Sequence, residues 1–351
     1  MNDSSKKTKL TYADSGVDIS AGDAAVQRIK KLAASTFNDQ VLSDIGAFGG
    51  LFKPDMSGLA EPVFISSTDS VGTKLKLAFV TGRHDTVGED LINHCVGDIL
   101  VHGAKPLFFL DYIGIGKLDQ NVVADLVEGL SRGCRNVGMA LLGGETAELT
   151  DLYQPGEYDL AGFIVGMADR ANVIDGSAIK EGDVCLGLPS NGLHTNGFTL
   201  ARKVVFEIAR LKPDDFFPQL KTTIGEALLA VHRCYAPIVH PLLPQFAVHG
   251  MAHITGGGIQ GNLNRVMPDG LSAEIDKSKW PVPPIFTILK DLGNIDPDDI
   301  YRTFNMGIGY IIVVEAKDAD SVCAAVEQMG EQVYRIGRVV TGSEPVVMIG
   351  D

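Results

Sequence analysis

Between residues 63 and 167 short apolar runs alternate with amphipathic stretches, and few folds accommodate that alternation. Val63-Phe64-Ile65-Ser66-Ser67-Thr68 reads as a buried strand that runs into Asp69-Ser70-Val71-Gly72. From residue 85 to 102, Val87, Leu91, Cys95 and Ile99 recur every fourth position, the spacing of one helix face, and Gly103 follows as a C-terminal cap. Residues 107–113 form the next strand. Asp119 then caps a helix that turns Val123, Leu126, Val127 and Leu130 inward, and residues 139–142 and 160–167 supply further strands. Strands alternating with helices predict a layered α/β unit.

The pattern breaks at residues 169–183, where Asp175-Gly176-Ser177 and Glu181-Gly182-Asp183 are turn signals, and a strand restarts at residues 184–188. A length of 351 residues is about 2.3 times the roughly 150-residue unit expected per domain. Two domains are therefore expected, residues 1–170 and 171–351, with the boundary near Ala171. Beyond it the chain mixes helices at 197–208, 224–231, 259–266 and 319–329 with strands at 271–275 and 309–314; a further helix is expected at 24–37. The fold class is α+β, a mixed α/β chain. With 45% hydrophobic residues it can bury a core.

A formal charge of −14, with Lys and Arg concentrated nowhere beyond residues 6–9, excludes nucleic acid and anionic membranes as partners. Cys95, Cys134, Cys185, Cys234 and Cys323 form no CxxC pair, so reduced thiols and a cytoplasmic location are expected. No apolar run is long enough to cross a bilayer.

Glycine makes the chemistry legible. Its 40 residues cluster in short polar surroundings: Gly46, Gly49 and Gly50; Gly72; Gly143-Gly144-Glu145; Asn196-Gly197; Gly256-Gly257-Gly258. Such loops let backbone N–H groups approach a phosphate, although any one of them could be an ordinary turn. Asp69-Ser70-Val71-Gly72-Thr73-Lys74 places a carboxylate, a glycine turn, a hydroxyl and an ammonium at a strand end, a set suited to magnesium and phosphate. The Walker A spacing is absent. Asp90, His94, Asp98 and His102 share one helix stripe at four-residue spacing. For Asp90, His94 and His102 the expectation is a solvated face. Two His and two Asp would also suit a transition metal, whereas magnesium favours oxygen ligands. Glu145 and Glu148 could ligate metal or orient amines, with Glu148 as a helix-start residue the alternative. His194 lies in Leu193-His194-Thr195-Asn196-Gly197 just before a helix, and His253 opens the second glycine turn.

Taken together, Tyr12-Ala13-Asp14-Ser15-Gly16-Val17-Asp18, Asp69-Ser70-Val71-Gly72-Thr73-Lys74, Lys105-Pro106-Leu107-Phe108-Phe109-Leu110-Asp111-Tyr112, Gly143-Gly144-Glu145-Thr146-Ala147-Glu148, Leu193-His194-Thr195-Asn196-Gly197-Phe198 and His253-Ile254-Thr255-Gly256-Gly257-Gly258 resemble the phosphoribosylformylglycinamidine cyclo-ligase (AIR synthetase) family, from about residue 10 to 340. The resemblance implies a PurM-like architecture, with an N-terminal sheet that forms a barrel across a homodimer and a C-terminal α+β domain. It implies ATP and Mg2+, leaves a monovalent-cation requirement open, and names formylglycinamidine ribonucleotide as substrate. Asp69 and Asp98 would hold the metal. Lys30, Gly46, Gly49, Gly50, Gly72, Thr73, Lys74 and Glu145 would line the nucleotide site, and Lys74 and His194 would join the two acids in catalysis. The sequence departs from the family pattern at Ser70, where Gly is usual, and at Gly97, where Asn is common; loss of that amide is expected to leave Asp98 less well oriented. A formylglycinamidine ribonucleotide synthase subunit and a non-catalytic nucleotide-binding homologue remain as alternatives.

Overall fold

The computed structural model describes residues 28–46 and 48–350. Tyr12, Asp14, Gly16 and Asp18, and the start of the helix expected at 24–37, lie outside them; residues 28–34 are helical (α1). The first half builds a four-stranded sheet from β1 (Pro62–Ser70), β2 (Lys105–Ile115), β3 (Ala140–Glu148) and β4 (Tyr158–Asp169) in the order β1-β4-β2-β3. β2 and β3 are parallel, and β4 pairs antiparallel with both β1 and β2. Three helices pack in sequence with it: α2 (Leu75–Thr81), α3 (Val87–Leu100) and α4 (Gln120–Asn136). Asp119 caps α4 as its sequence suggests, its carboxylate accepting from the N–H groups of Asn121 and Val122.

The second half forms a six-stranded sheet from β5 (Val184–Pro189), β8 (Val248–His253), β9 (Leu271–Asp276), β10 (Ile308–Val314), β11 (Tyr334–Thr341) and β12 (Val346–Ile349), in the order β12-β9-β11-β5-β10-β8. Only β12 against β9 is parallel. A short hairpin, β6 (Phe216–Phe217) and β7 (Thr222–Thr223), lies apart. β10 is buried at every position, in keeping with its unbroken apolar sequence Ile-Gly-Tyr-Ile-Ile-Val-Val.

One hydrophobic core runs through both halves. Leu91, Ile92, Val96 and Ile99 of α3 belong to the same buried cluster as Leu186, Tyr235, Val239, Met251 and Tyr310. α3 is therefore wrapped on all sides, which corrects the expected solvated stripe: Asp90 and His94 are buried, and His102 is half-buried with Nδ1 on the Ile174 carbonyl. Leu91, Ile92, Cys95, Val96, Ile99 and Leu100 fill one side of the helix, and the polar side opposite them is covered by the second half of the chain, where Asp90 meets the His232 N–H and His94 meets Thr195. Gly143, Gly144 and Glu148 also differ from expectation, since they continue β3. The Glu148 carboxylate accepts from the Leu118 N–H and starts no helix.

Candidate active site

Strand alternation turns Ser67 and Asp69 of β1 toward α3, where His94 and Asp98 sit one turn apart. Asp69 Oδ2 is 2.7 Å from His94 Nε2, and Ser67 Oγ donates to Asp98 Oδ2 at 3.2 Å. His253, the last residue of β8, brings Nδ1 to 2.9 Å from Asp98 Oδ1. Both halves of the chain thus meet at the two acids. The carboxylates keep 35% and 28% of their side-chain surface exposed, while the imidazoles behind them keep 4% and 2%.

Hydrogen bonds continue behind the acids. His94 Nδ1 is 2.5 Å from Thr195 Oγ1, Thr195 Oγ1 is 3.3 Å from His232 Nδ1, and His232 Nε2 is 3.0 Å from His253 Nε2. Asp69 and Asp98 are therefore joined through His94, Thr195, His232 and His253. Three neutral imidazoles and one hydroxyl carry four hydrogens for the five bonds of this chain, so with both carboxylates ionised one imidazole must be doubly protonated. His94 is that residue. Burial alone would lower its pKa, but the hydrogen bond and charge of Asp69 outweigh burial and raise it. Burial lowers His253 despite Asp98, and burial together with the neighbouring histidines puts His232 far below the ordinary range. Asp98 is net lowered, since His253, His94 and Ser67 overcome the cost of its burial.

Lys74 is fully buried. Its ammonium lies 2.8 Å from both Asp90 oxygens and donates to the carbonyls of His194 at 3.0 Å and Ala230 at 2.8 Å. With its three hydrogens used, it is a bridge between the two halves, which replaces the expectation that it meets phosphate. His194 is likewise buried. Its φ of 63° aims the carbonyl at Lys74, its ring stacks on His232 with centroids 4.0 Å apart, and neither ring nitrogen has a hydrogen-bond partner among the described residues. Burial and surrounding positive charge lower its pKa well below the ordinary range and hold the ring neutral. Gly72 and Thr73 stay exposed at the end of β1, and Thr73 Oγ1 is 2.9 Å from Thr199 Oγ1 of the second half.

The remaining expected residues gather elsewhere. Gly46, Gly49, Gly50 and Glu145 line a cavity of about 590 Å3 with Asp44, Ile29, Ala33, Val127, Leu141 and Leu142. Lys30 is beside it: a Cβ on Gly46, whose φ is +100°, would stand 3.2 Å from Lys30 Nζ. Asp111 shares the wall, and desolvation, with a smaller contribution from the Glu145 charge, pushes its carboxyl up to about 7. Sequence reading missed His232, which lies in no motif, and gave Asp111 no role although it stands next to Tyr112 in a quoted stretch. Asp90 and His94 carried no signal of burial in the sequence, since they share a polar stripe opposite the apolar side of α3.

These features define a class, that of two-domain ATP-using enzymes with the PurM-type fold. The chain superposes on a thiamine-monophosphate kinase from Stenotrophomonas maltophilia with a TM-score of 0.70, over 93% of this chain and 96% of that one, at 17% identity. It superposes on the hydrogenase maturation protein HypE in complex with ATP with a TM-score of 0.65, over 91% and 89%, again at 17% identity. The AIR synthase related protein N-terminal domain matches residues 58–168 and the C-terminal domain residues 180–350. Phosphoribosylformylglycinamidine cyclo-ligases of Pseudothermotoga lettingae and Nitratidesulfovibrio vulgaris are each 50% identical to it, over 97% of this chain and 99% of the former, and 95% of both chains for the latter. The chain belongs to the phosphoribosylformylglycinamidine cyclo-ligase family.

Proposed function

We propose that the protein closes the imidazole ring of 5-aminoimidazole ribonucleotide: ATP phosphorylates the formyl oxygen of formylglycinamidine ribonucleotide, the ribose-bearing nitrogen attacks the activated carbon, and phosphate leaves. The carrying observation is the 50% identity to cyclo-ligases along nearly the whole of both chains. That extent of similarity disfavours a synthase subunit or a non-catalytic homologue. An amide-like oxygen leaves poorly, so the enzyme's task is to hold the γ-phosphoryl in line with it and offset its charge.

The cavity suits the nucleotide. Apolar walls at Ile29, Ala33, Val127 and Leu142 fit a purine, the loop at residues 46–50 presents glycine backbone to phosphates, and Lys30 supplies positive charge. Glu145 and Asp111 add carboxylates to its wall. Asp69 and Asp98 present partly exposed carboxylates that fit a divalent ion, which would neutralise phosphate charge when bound. Gly72 and Thr73 lie beside them as exposed phosphate contacts.

We place the domain division at residue 170/171, between the four-stranded and the six-stranded sheet. We also infer a homodimer. Phe64, Leu110 and Phe163 are exposed on the face of the first sheet away from α3, and in register Leu110 opposes Phe163. A barrel across two subunits would bury this face. Among the described residues no helix is long and apolar enough to cross a membrane, and five unpaired cysteines fit the reducing cytoplasm. ATP turnover to ADP that depends on formylglycinamidine ribonucleotide is the expected result; turnover indifferent to that substrate would overturn the assignment.

A further inference from the structure

Both ring nitrogens of His232 are in use, and each serves a different acid. His232 lies in an irregular segment between helices Ile224–Leu228 and Ala236–Val239 and is fully buried. Its Nε2 is 3.0 Å from His253 Nε2, behind Asp98. Its Nδ1 is 3.3 Å from Thr195 Oγ1, which meets the His94 ring behind Asp69. We propose that His232 is a positioning residue, a single imidazole that holds the two histidines behind Asp69 and Asp98 and so sets how both carboxylates meet a magnesium ion. The inference rests on the reading of these acids as the magnesium site and names what fixes them there.

The hydrogens of this chain run in one direction. Ionised Asp98 accepts only, so its 2.9 Å bond takes the hydrogen from His253 Nδ1. A neutral His253 then has a bare Nε2, to which His232 Nε2–H donates. His232 Nδ1 is bare in turn and accepts from the Thr195 hydroxyl, whose oxygen accepts from His94 Nδ1–H. His94 Nε2–H remains for Asp69, in agreement with two hydrogens on the His94 ring.

His232 is itself held in place. Its N–H donates to Asp90 Oδ1 at 2.7 Å and its carbonyl accepts from Asn93 Nδ2 at 2.7 Å, both on α3, the helix that carries His94 and Asp98. One face of the ring stacks on His194, with 16° between the planes. An irregular segment of the second half is thereby registered against α3, and the ring passes that registration to the acids. Magnesium tolerates little departure from octahedral oxygen geometry, so a carboxylate whose supporting ring can turn binds it less well. A phenylalanine at 232 would keep the ring and its stacking but leave His253 Nε2 and the Thr195 hydroxyl facing carbon.

The test titrates Mg2+ by calorimetry into the full-length protein saturated with a non-hydrolysable ATP analogue. His232→Phe is expected to weaken Mg2+ binding about tenfold or more. His232→Gln, whose amide N–H can reach His253 Nε2, should stay within about threefold of wild type. In turnover, the Phe variant should need about tenfold more Mg2+ for its half-maximal rate, with the KM for formylglycinamidine ribonucleotide little changed. A merely structural role would lower the melting temperature without moving the Mg2+ requirement; that result, or Phe and Gln variants weakened alike, overturns the proposal. If the Phe variant fails to fold, nitrogen-15 NMR of histidine-labelled wild type still decides. His232 should carry its hydrogen on Nε2 and His253 on Nδ1, and the opposite placement on either ring overturns the proposal. Wild-type ATP turnover that depends on formylglycinamidine ribonucleotide is scored separately. Its absence, with the Mg2+ shifts as expected, removes the cyclo-ligase assignment and keeps the role of His232; its presence with unshifted Mg2+ binding does the reverse.

Discussion

The His253 imidazole fills the volume beside Gly97: a Cβ at position 97 would stand 2.6 to 2.8 Å from three of its ring atoms. The missing amide at this position therefore has a replacement. His253 reaches from the other half of the chain to orient Asp98, the role that loss of an asparagine at 97 was expected to leave unfilled.

Gly97→Ala separates two effects of opposite sign. In an ordinary helix interior, alanine gains about 1 kcal/mol over glycine. Here the new methyl must displace a buried ring that holds two hydrogen bonds, so overpacking of about 1–3 kcal/mol should prevail and lower the melting temperature. ATP turnover should fall with it, at least tenfold. A variant that melts higher than the parent would refute the crowding.

Lys74→Met tests the buried bridge. Removing one member of a buried ion pair typically costs about 3–5 kcal/mol, because the other charge is left without its partner. Among the described residues Asp90 would retain only the His232 N–H at 2.7 Å. Urea unfolding should show this loss, and Lys74→Met combined with Asp90→Leu should recover part of it. Unchanged stability with weakened ATP binding would instead return Lys74 to the phosphates.

Local signals in the sequence were read correctly where one segment sufficed. The Asp119 cap, the four-residue period of α3 and the strand expected at 63–68, observed as Pro62–Ser70, each depend on neighbours in the chain. The interior polar residues did not reveal themselves, because their partners are distant: Lys74 meets Ala230, Asp90 meets His232, and Asp98 meets His253. Asp90 and His94 look like a wet stripe until the second half of the chain covers it. The exposed strand positions Phe64 and Phe163 show the converse, since apolar alternation alone does not say which sheet face α3 will cover.

Asp111 makes stability depend on pH. Its folded value near 7 exceeds the ordinary 3.8, so the folded state binds the proton more tightly than the unfolded chain. This contribution is fully present below about pH 3.8 and is lost as pH rises through 7. Asp111→Asn keeps the shape without the charge. Its melting temperature should exceed that of the wild type at pH 8, the difference shrinking toward pH 4. An equal difference at both pH values would show that Asp111 is not the group responsible.

Ser70 and Gly72 divide the departure from the family pattern into two measurable cases. Ser70 ends β1 opposite Ala161 and is not among the residues with positive φ; its N–H donates to Asp69 Oδ1 at 2.7 Å. Serine is thus unstrained there, and Ser70→Gly should mainly gain unfolded-state entropy, lowering stability by about 0.4–1 kcal/mol with ATP affinity unchanged. The left-handed residue of the turn is Gly72, at φ 66°, where a Cβ would meet nothing within 4 Å. Gly72→Ala therefore introduces backbone strain without a clash, at about 1–2 kcal/mol. Because Gly72 is exposed beside Asp69, relaxing that strain should also move the turn and weaken ATP–magnesium binding. Calorimetry beside thermal melts reads both variants: affinity should change only in the position 72 variant, and a tenfold change in the position 70 variant would place the strained residue at Ser70 instead.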